Sequence, residues 1–79
     1  MKTKTTLYEQ ITVVAKAIAS SNRLELLDYL SQGEKTVEAL SIQTDISVKL
    51  TSAHLKALKA ARLVESRRDG RFVHYSIAD

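Results

Sequence analysis

The sequence predicts a mainly α fold that closes on a β-hairpin, and three observations carry that prediction. Apolar residues recur at helical spacing from Leu7 to about Ala61. Thr36 and Ser47, both N-cap residue types, each stand directly before an apolar helix-forming run, with room between those runs only for a tight turn. From Leu63 the period changes from helical to alternating, around an Asp69-Gly70 pair.

The elements follow in order. Leu7, Ile11, Val14 and Ile18 recur at spacings of four, three and four, which predicts an amphipathic helix over about residues 5–19 with a heptad-like seam. That stripe has two destinations, its own domain or a second copy, and spacing does not choose between them. Ser20-Ser21-Asn22 breaks the pattern, and a second helix resumes at Arg23 and runs to Leu30. Leu24, Leu27 and Leu30 or Leu26 give it a broad buried face, and Gly33 supplies a left-handed residue after its end. Glu25 and Asp28 share a face but have neither pocket nor histidine beside them, so they read as a solvated pair.

Thr36 caps a short third helix from Val37 to about Gln43, with Val37 and Leu40 turned inward. Thr44-Asp45-Ile46 is the turn, with Asp45 as pivot because Asp tolerates a left-handed backbone. Ser47 caps the fourth helix, Val48 to about Ala61. At about 100° per residue, Thr51, Leu55 and Leu58 fall on one face with His54 on its flank, while Lys49, Ser52, Ala53 and Lys56 fall opposite. A small, polar, basic face of this kind suits a helix entering a DNA major groove, although a Lys-rich helix face is as often simply solvated. Leu63 to Arg68 and Arg71 to Ile77 predict a two-stranded hairpin with Val64, Val73, Tyr75 and Ile77 inward and Arg67, Arg68 and Arg71 around its tip. Two helices joined by a tight turn and followed by a basic hairpin make a winged helix-turn-helix, α-α-α-α-β-β.

Composition narrows the function. At 79 residues with 44% apolar content the chain makes one domain, residues 1–79, near the lower size limit for an unassisted core. Without cysteine it has no disulfide and no thiolate metal site, and no apolar run is long enough for a membrane span, so the expected compartment is the cytoplasm. The net charge of +3 is uneven. Residues 1–46 hold five Lys/Arg against six acids and residues 47–79 hold seven against three, giving −1 and +4. A positive half on a small domain points to a polyanion as partner.

An enzyme reading finds no phosphate-binding glycine loop and no hydrolase or metalloprotease motif, and no cofactor is expected. His54 and His74 lack a third ligand in view, so packing or hydrogen bonding is the expected role of each and no metal site is assigned. Direct zinc sensing by the two histidines is a further reading, which predicts zinc-dependent release of DNA. The rival from another class is a winged-helix protein-interaction module that binds no nucleic acid.

The runs A-S-S-N-R-L-E-L-L-D-Y-L, T-V-E-A-L, S-V-K-L-T-S-A-H-L-K-A-L-K-A-A-R-L-V and R-R-D-G-R-F-V-H-Y-S-I-A-D together resemble the arsenical-resistance-repressor (ArsR/SmtB-like) family of winged-helix regulators. The resemblance covers nearly the whole chain and implies a homodimeric, DNA-binding transcriptional repressor whose recognition helix is 48–61 and whose wing is 64–77. Carried onto this sequence, Ser47, Val48, Lys49, Ser52, Ala53, Lys56, Arg67, Arg68 and Arg71 are the expected contacts to double-stranded DNA, with a palindromic operator read by two copies. Three departures stand out. The cysteine motif of the family's metal sensors is replaced by V-E-A-L. The C-terminal helix that many members add after the wing has no counterpart before Asp79. Arg62 stands where a glycine is usual, which at a left-handed position costs on the order of 1 kcal/mol. The chain also looks like the regulator part of proteins that fuse this domain to a rhodanese, so a fused or C-terminal domain outside this sequence is a further expectation.

Overall fold

The caps written into the sequence set the helices. In the computed structural model, which describes residues 2–79 and side chains from Lys4 onward, α1 spans Lys2–Ile18, α2 Ser21–Leu30, β1 Lys35–Thr36, α3 Val37–Thr44, α4 Val48–Ala60, β2 Val64–Asp69 and β3 Phe72–Ile77. Ser20 caps α2 by accepting from the Arg23 N–H, Thr36 caps α3 through the Ala39 N–H, and Ser47 caps α4 through the Leu50 N–H at 3.0 Å. Each hydroxyl satisfies a backbone donor that a helix start otherwise leaves open.

Helices α3 and α4 end in the same way. After α3, Asp45 takes a left-handed conformation at φ 57°, while the Ile46 and Asp45 N–H groups donate back to Ser41 and Ile42 carbonyls. After α4, Arg62 does so at φ 63°, and the Leu63 and Arg62 N–H groups donate to Leu58 and Lys59 carbonyls. Both are Schellman-type endings, in which the left-handed residue lets the last carbonyls find partners. Asp45 is thus the pivot the sequence indicates, and Arg62 holds a position that glycine would occupy with less strain.

The core is built on α4. Leu26, Leu40, Leu55, Leu58 and Thr51 are fully buried, joined by Leu30, Val37, Ala61, Val64, Tyr75 and Ala17. Thr51, Leu55 and Leu58 therefore make the packed face, as their spacing predicts; the Thr51 hydroxyl has no hydrogen-bond partner among the described residues.

Four expectations need correction. Leu24 is 51% exposed, and the buried face of α2 is carried by Leu26 and Leu30, because Leu24 lies about 160° around the helix from Leu26. Ile77 is 41% exposed: register puts it across from Val64, but at the open end of the hairpin. The sheet has three strands rather than two, ordered β1-β3-β2, because Lys35 and Thr36 pair antiparallel with Tyr75 and His74. The hairpin turn sits one residue later than the Asp-Gly pair indicates, since Asp69 pairs with Phe72 and the loop is Gly70-Arg71. Gly70, at φ 63°, opens that two-residue loop, the position at which a II′-type hairpin turn needs glycine.

The α1 stripe divides. Ala17 is buried and Val14 and Ile18 are half-buried against the domain, whereas Leu7 and Ile11 are 52% and 56% exposed. The first turns of α1 thus leave their apolar side uncovered. Among the described residues no helix is long and apolar enough to cross a membrane.

Candidate nucleic-acid interface

The outward face of α4 is held between two flanks. On one, His54 accepts a hydrogen bond at Nδ1 from Arg23 Nε of α2 at 3.0 Å. On the other, Lys59 Nζ donates to Ser66 Oγ of β2 at 2.7 Å. Between them, Lys49, Ala53, Lys56 and Ala60 are all exposed and Ser52 is half-buried. Ser52 turns about 60° from Lys49 toward the Lys59 side, so the small polar part of the face lies next to the hairpin. Ser47 and Val48, both exposed, stand at the helix start. Lys49 and Lys56 have no ion pair among the described residues, so both ammonium groups are free for an anion.

Period-two alternation divides the hairpin between two faces. Val64, Ser66 and Arg68 pair with Ile77, Tyr75 and Val73 and share the face that packs toward α4, where the Lys59–Ser66 bond closes it. Arg68 lies on that face near the tip, exposed and without an ion pair among the described residues. Arg71 is in the turn, its guanidinium carbon 5.1 Å from the centre of the Phe72 ring. Lys56, Lys59 and Arg68 therefore belong to one side of the molecule, the outward face of α4 and the edge of the hairpin beside it, whereas Arg71 sits in the turn against Phe72, which alternates with His74 onto the other face of the hairpin.

Arg67 is different. It lies on the opposite face of the hairpin, where Nε and Nη2 donate to Glu34 Oε2 and Oε1 at 3.0 and 2.6 Å. His74 Nδ1 is 3.7 Å from the same Oε1. The hydrogen bonds from Arg67 hold the Glu34 carboxyl below its usual range. The structure thus gathers Ser47, Val48, Lys49, Ser52, Ala53 and Lys56 at one helix with Arg68 beside it, leaves Arg71 in the turn against Phe72, and sets Arg67 apart. Glu34 was legible in the sequence only as a polar residue before a cap. Its partner lies 33 positions away, and no local pattern announces it.

The histidines have separate partners, Arg23 and Glu34, and burial is the main cause that lowers the His54 pKa, with the Arg23 charge second. Among the described residues no three His, Cys, Asp or Glu side chains come together in a metal-holding group.

Comparison with known proteins decides the family. The pattern of the arsR family of bacterial regulatory proteins matches residues 20–66, from the α2 cap into β2. The chain belongs to the arsR family. Within it, this arsR chain is 45% identical over 75 residues to the HTH-type transcriptional regulator Rv0324 of Mycobacterium tuberculosis, covering 95% of this chain but 33% of that protein. It is 36% identical over 64 residues to the transcriptional repressor SdpR of Bacillus subtilis, covering 81% of this chain and 71% of SdpR. Among solved structures, the homodimeric winged helix-turn-helix DNA-binding domain (fragment 1–100) from Mycobacterium bovis superposes with a TM-score of 0.91 at 45% identity, over 96% of this arsR chain and 70% of that one. The winged helix-turn-helix architecture expected from the sequence is the one observed.

Proposed function

We propose that residues 1–79 are the DNA-binding unit of a transcriptional repressor that reads a palindromic operator as a homodimer. The observation that carries this reading is the cationic side formed by Lys49, Lys56 and Arg68 on α4 and the hairpin edge, which together with Arg71 in the turn are unpaired by any acid of the chain among the described residues. In the proposed complex α4 enters the major groove. Ala53 and Ala60 lack bulk, so the backbone approaches closely; Lys49 and Ser52 reach base edges or adjacent phosphates, and Val48 offers methyl groups to a thymine. The α4 start, capped by Ser47, directs unpaired N–H groups and the positive end of the helix dipole at a phosphate, which Lys56 also approaches. Arg68 and Arg71 hold the backbone or the neighbouring minor groove.

The second copy docks on α1. The exposed Leu7 and Ile11 line one apolar groove with Val14, Ala15 and Ile18, a seam that a matching helix covers. The homodimeric Mycobacterium bovis relative supports a dimer, and the bare apolar groove of α1 supports its place. Two copies then present two α4 helices to half-sites about 34 Å apart. Membership in a family of regulators supports a binding rather than catalytic role and a place in the cytoplasm, where the DNA is.

Incubating the purified chain with genomic fragments at low salt and resolving the mixture on a native gel tests the proposal. Retardation of a discrete set of fragments, abolished by Lys49→Ala with Arg68→Ala and Arg71→Ala, is expected. A chain that retards no fragment is a protein-docking module instead.

A further inference from the structure

The Glu34–Arg67 pair spans the sheet, from the segment before β1 to the outer strand β2. Thr36, His74 and Arg67 form one row across the three strands, since Thr36 pairs with His74 and His74 with Arg67. Glu34 lies two residues before Thr36. Its carboxylate reaches across the middle strand to the far one, taking Arg67 in a two-point grip at 3.0 and 2.6 Å with His74 beside it. β1 runs into α3 without an intervening residue, because Thr36 is both its last residue and the α3 cap. Glu34 therefore ties the outer strand of the wing to the segment from which the helix-turn-helix starts.

An exposed ion pair contributes little stability, but a bidentate Arg–carboxylate pair fixes an angle as well as a distance. We propose that Glu34 and Arg67 form a clamp that sets the wing's orientation to α4, and that Arg67 makes no phosphate contact of its own. Glu34 is then a positioning residue for the DNA contacts made by Arg68 and Arg71. The inference rests on the DNA-binding reading for its functional part alone; the mechanical part stands without DNA.

Two properties separate a clamp from a phosphate ligand. A phosphate ligand contributes to the salt dependence of binding, whereas a clamp changes affinity and leaves that slope alone. A clamp also works with its charges exchanged. We expect Arg71→Ala to lower the slope of log affinity against log salt by about 0.9 per copy, while Arg67→Ala weakens binding with the slope kept. We expect Arg67→Glu to cost about tenfold in affinity, and Glu34→Arg combined with Arg67→Glu, which conserves net charge, to return it to within about threefold of the parent. Far-ultraviolet circular dichroism verifies that each variant is folded. A slope that drops in Arg67→Ala as it does in Arg71→Ala, or a swapped pair no better than Arg67→Glu alone, overturns the clamp. Hydrogen exchange on free Glu34→Gln gives an arm without DNA. Faster exchange confined to β2 and β3 amides supports the clamp, and exchange equal to the parent's refutes it. A parent chain that binds no duplex defeats the function proposed above, and the exchange arm still decides the clamp.

Discussion

Arg62 and His54 show how single positions trade against the fold. Arg62 takes φ 63° at the end of α4, where a Cβ crowds the following carbonyl and glycine does not. Its side chain is exposed, so Arg62→Gly removes strain with little lost packing. Urea unfolding of that variant is expected to show a gain of about 1 kcal/mol. His54 works through its proton. Nδ1 accepts from Arg23, so protonation removes the acceptor and places two positive charges in contact. With its pKa held below the ordinary imidazole value of 6.5 by burial and then by Arg23, the folded chain binds fewer protons than the unfolded one at mildly acid pH. The stabilising contribution is therefore complete above pH 6.5 and is lost as pH falls toward the depressed value. The urea midpoint of the parent is expected to fall below pH 6.5 more steeply than that of His54→Gln, whose amide oxygen still accepts from Arg23 without titrating. Equal slopes in the two proteins would remove His54 as the cause.

At the scale of elements, what the sequence revealed was local. Hydroxyl caps, a left-handed pivot and a change of period act within a few residues, and α2, α3 and α4 are found where those signals put them, with the hairpin turn one residue later than its Asp-Gly pair. What it concealed depends on contacts between distant residues. β1 is two residues long and exists only because β3 arrives beside it. Nothing in the order of residues links Arg23 to His54 or Glu34 to Arg67. Leu24 shows the complementary limit, since several leucines share α2 and only the partner surfaces decide which of them are buried. For α1 the sequence left two destinations open, and the structure packs the end of the stripe on the domain and leaves its start bare. That bare start yields a prediction. Ile11→Glu places a charge in the proposed seam, so the variant is expected to sediment as a monomer at concentrations where the parent is a dimer, with the helical circular dichroism signal retained. A parent that is itself monomeric across that range would assign the α1 face elsewhere.

Over the whole molecule, the charge imbalance read from the sequence acquires a direction. Of the basic residues of the second half, Lys49 and Lys56 stand on the outward side of α4 with Lys59 and Arg68 toward the adjoining hairpin edge, while Arg62 follows α4 beside α1, Arg71 lies in the turn against Phe72, and Arg67 is neutralised by Glu34 on the other face. A surface of this kind binds a polyanion by displacing its counterions, and each phosphate neutralised adds to the salt dependence. The decisive measurement is the affinity of the purified chain for its retarded fragment as a function of salt, compared with Lys49→Ala/Arg68→Ala/Arg71→Ala. Neutralising roughly 6–10 phosphates with two copies predicts a loss of about 10³–10⁵ in affinity between 50 and 200 mM salt, and a slope shallower by about 5 in the triple variant. A parent affinity indifferent to salt, or a triple variant with the parent's slope, would contradict a footprint shared by helix and wing.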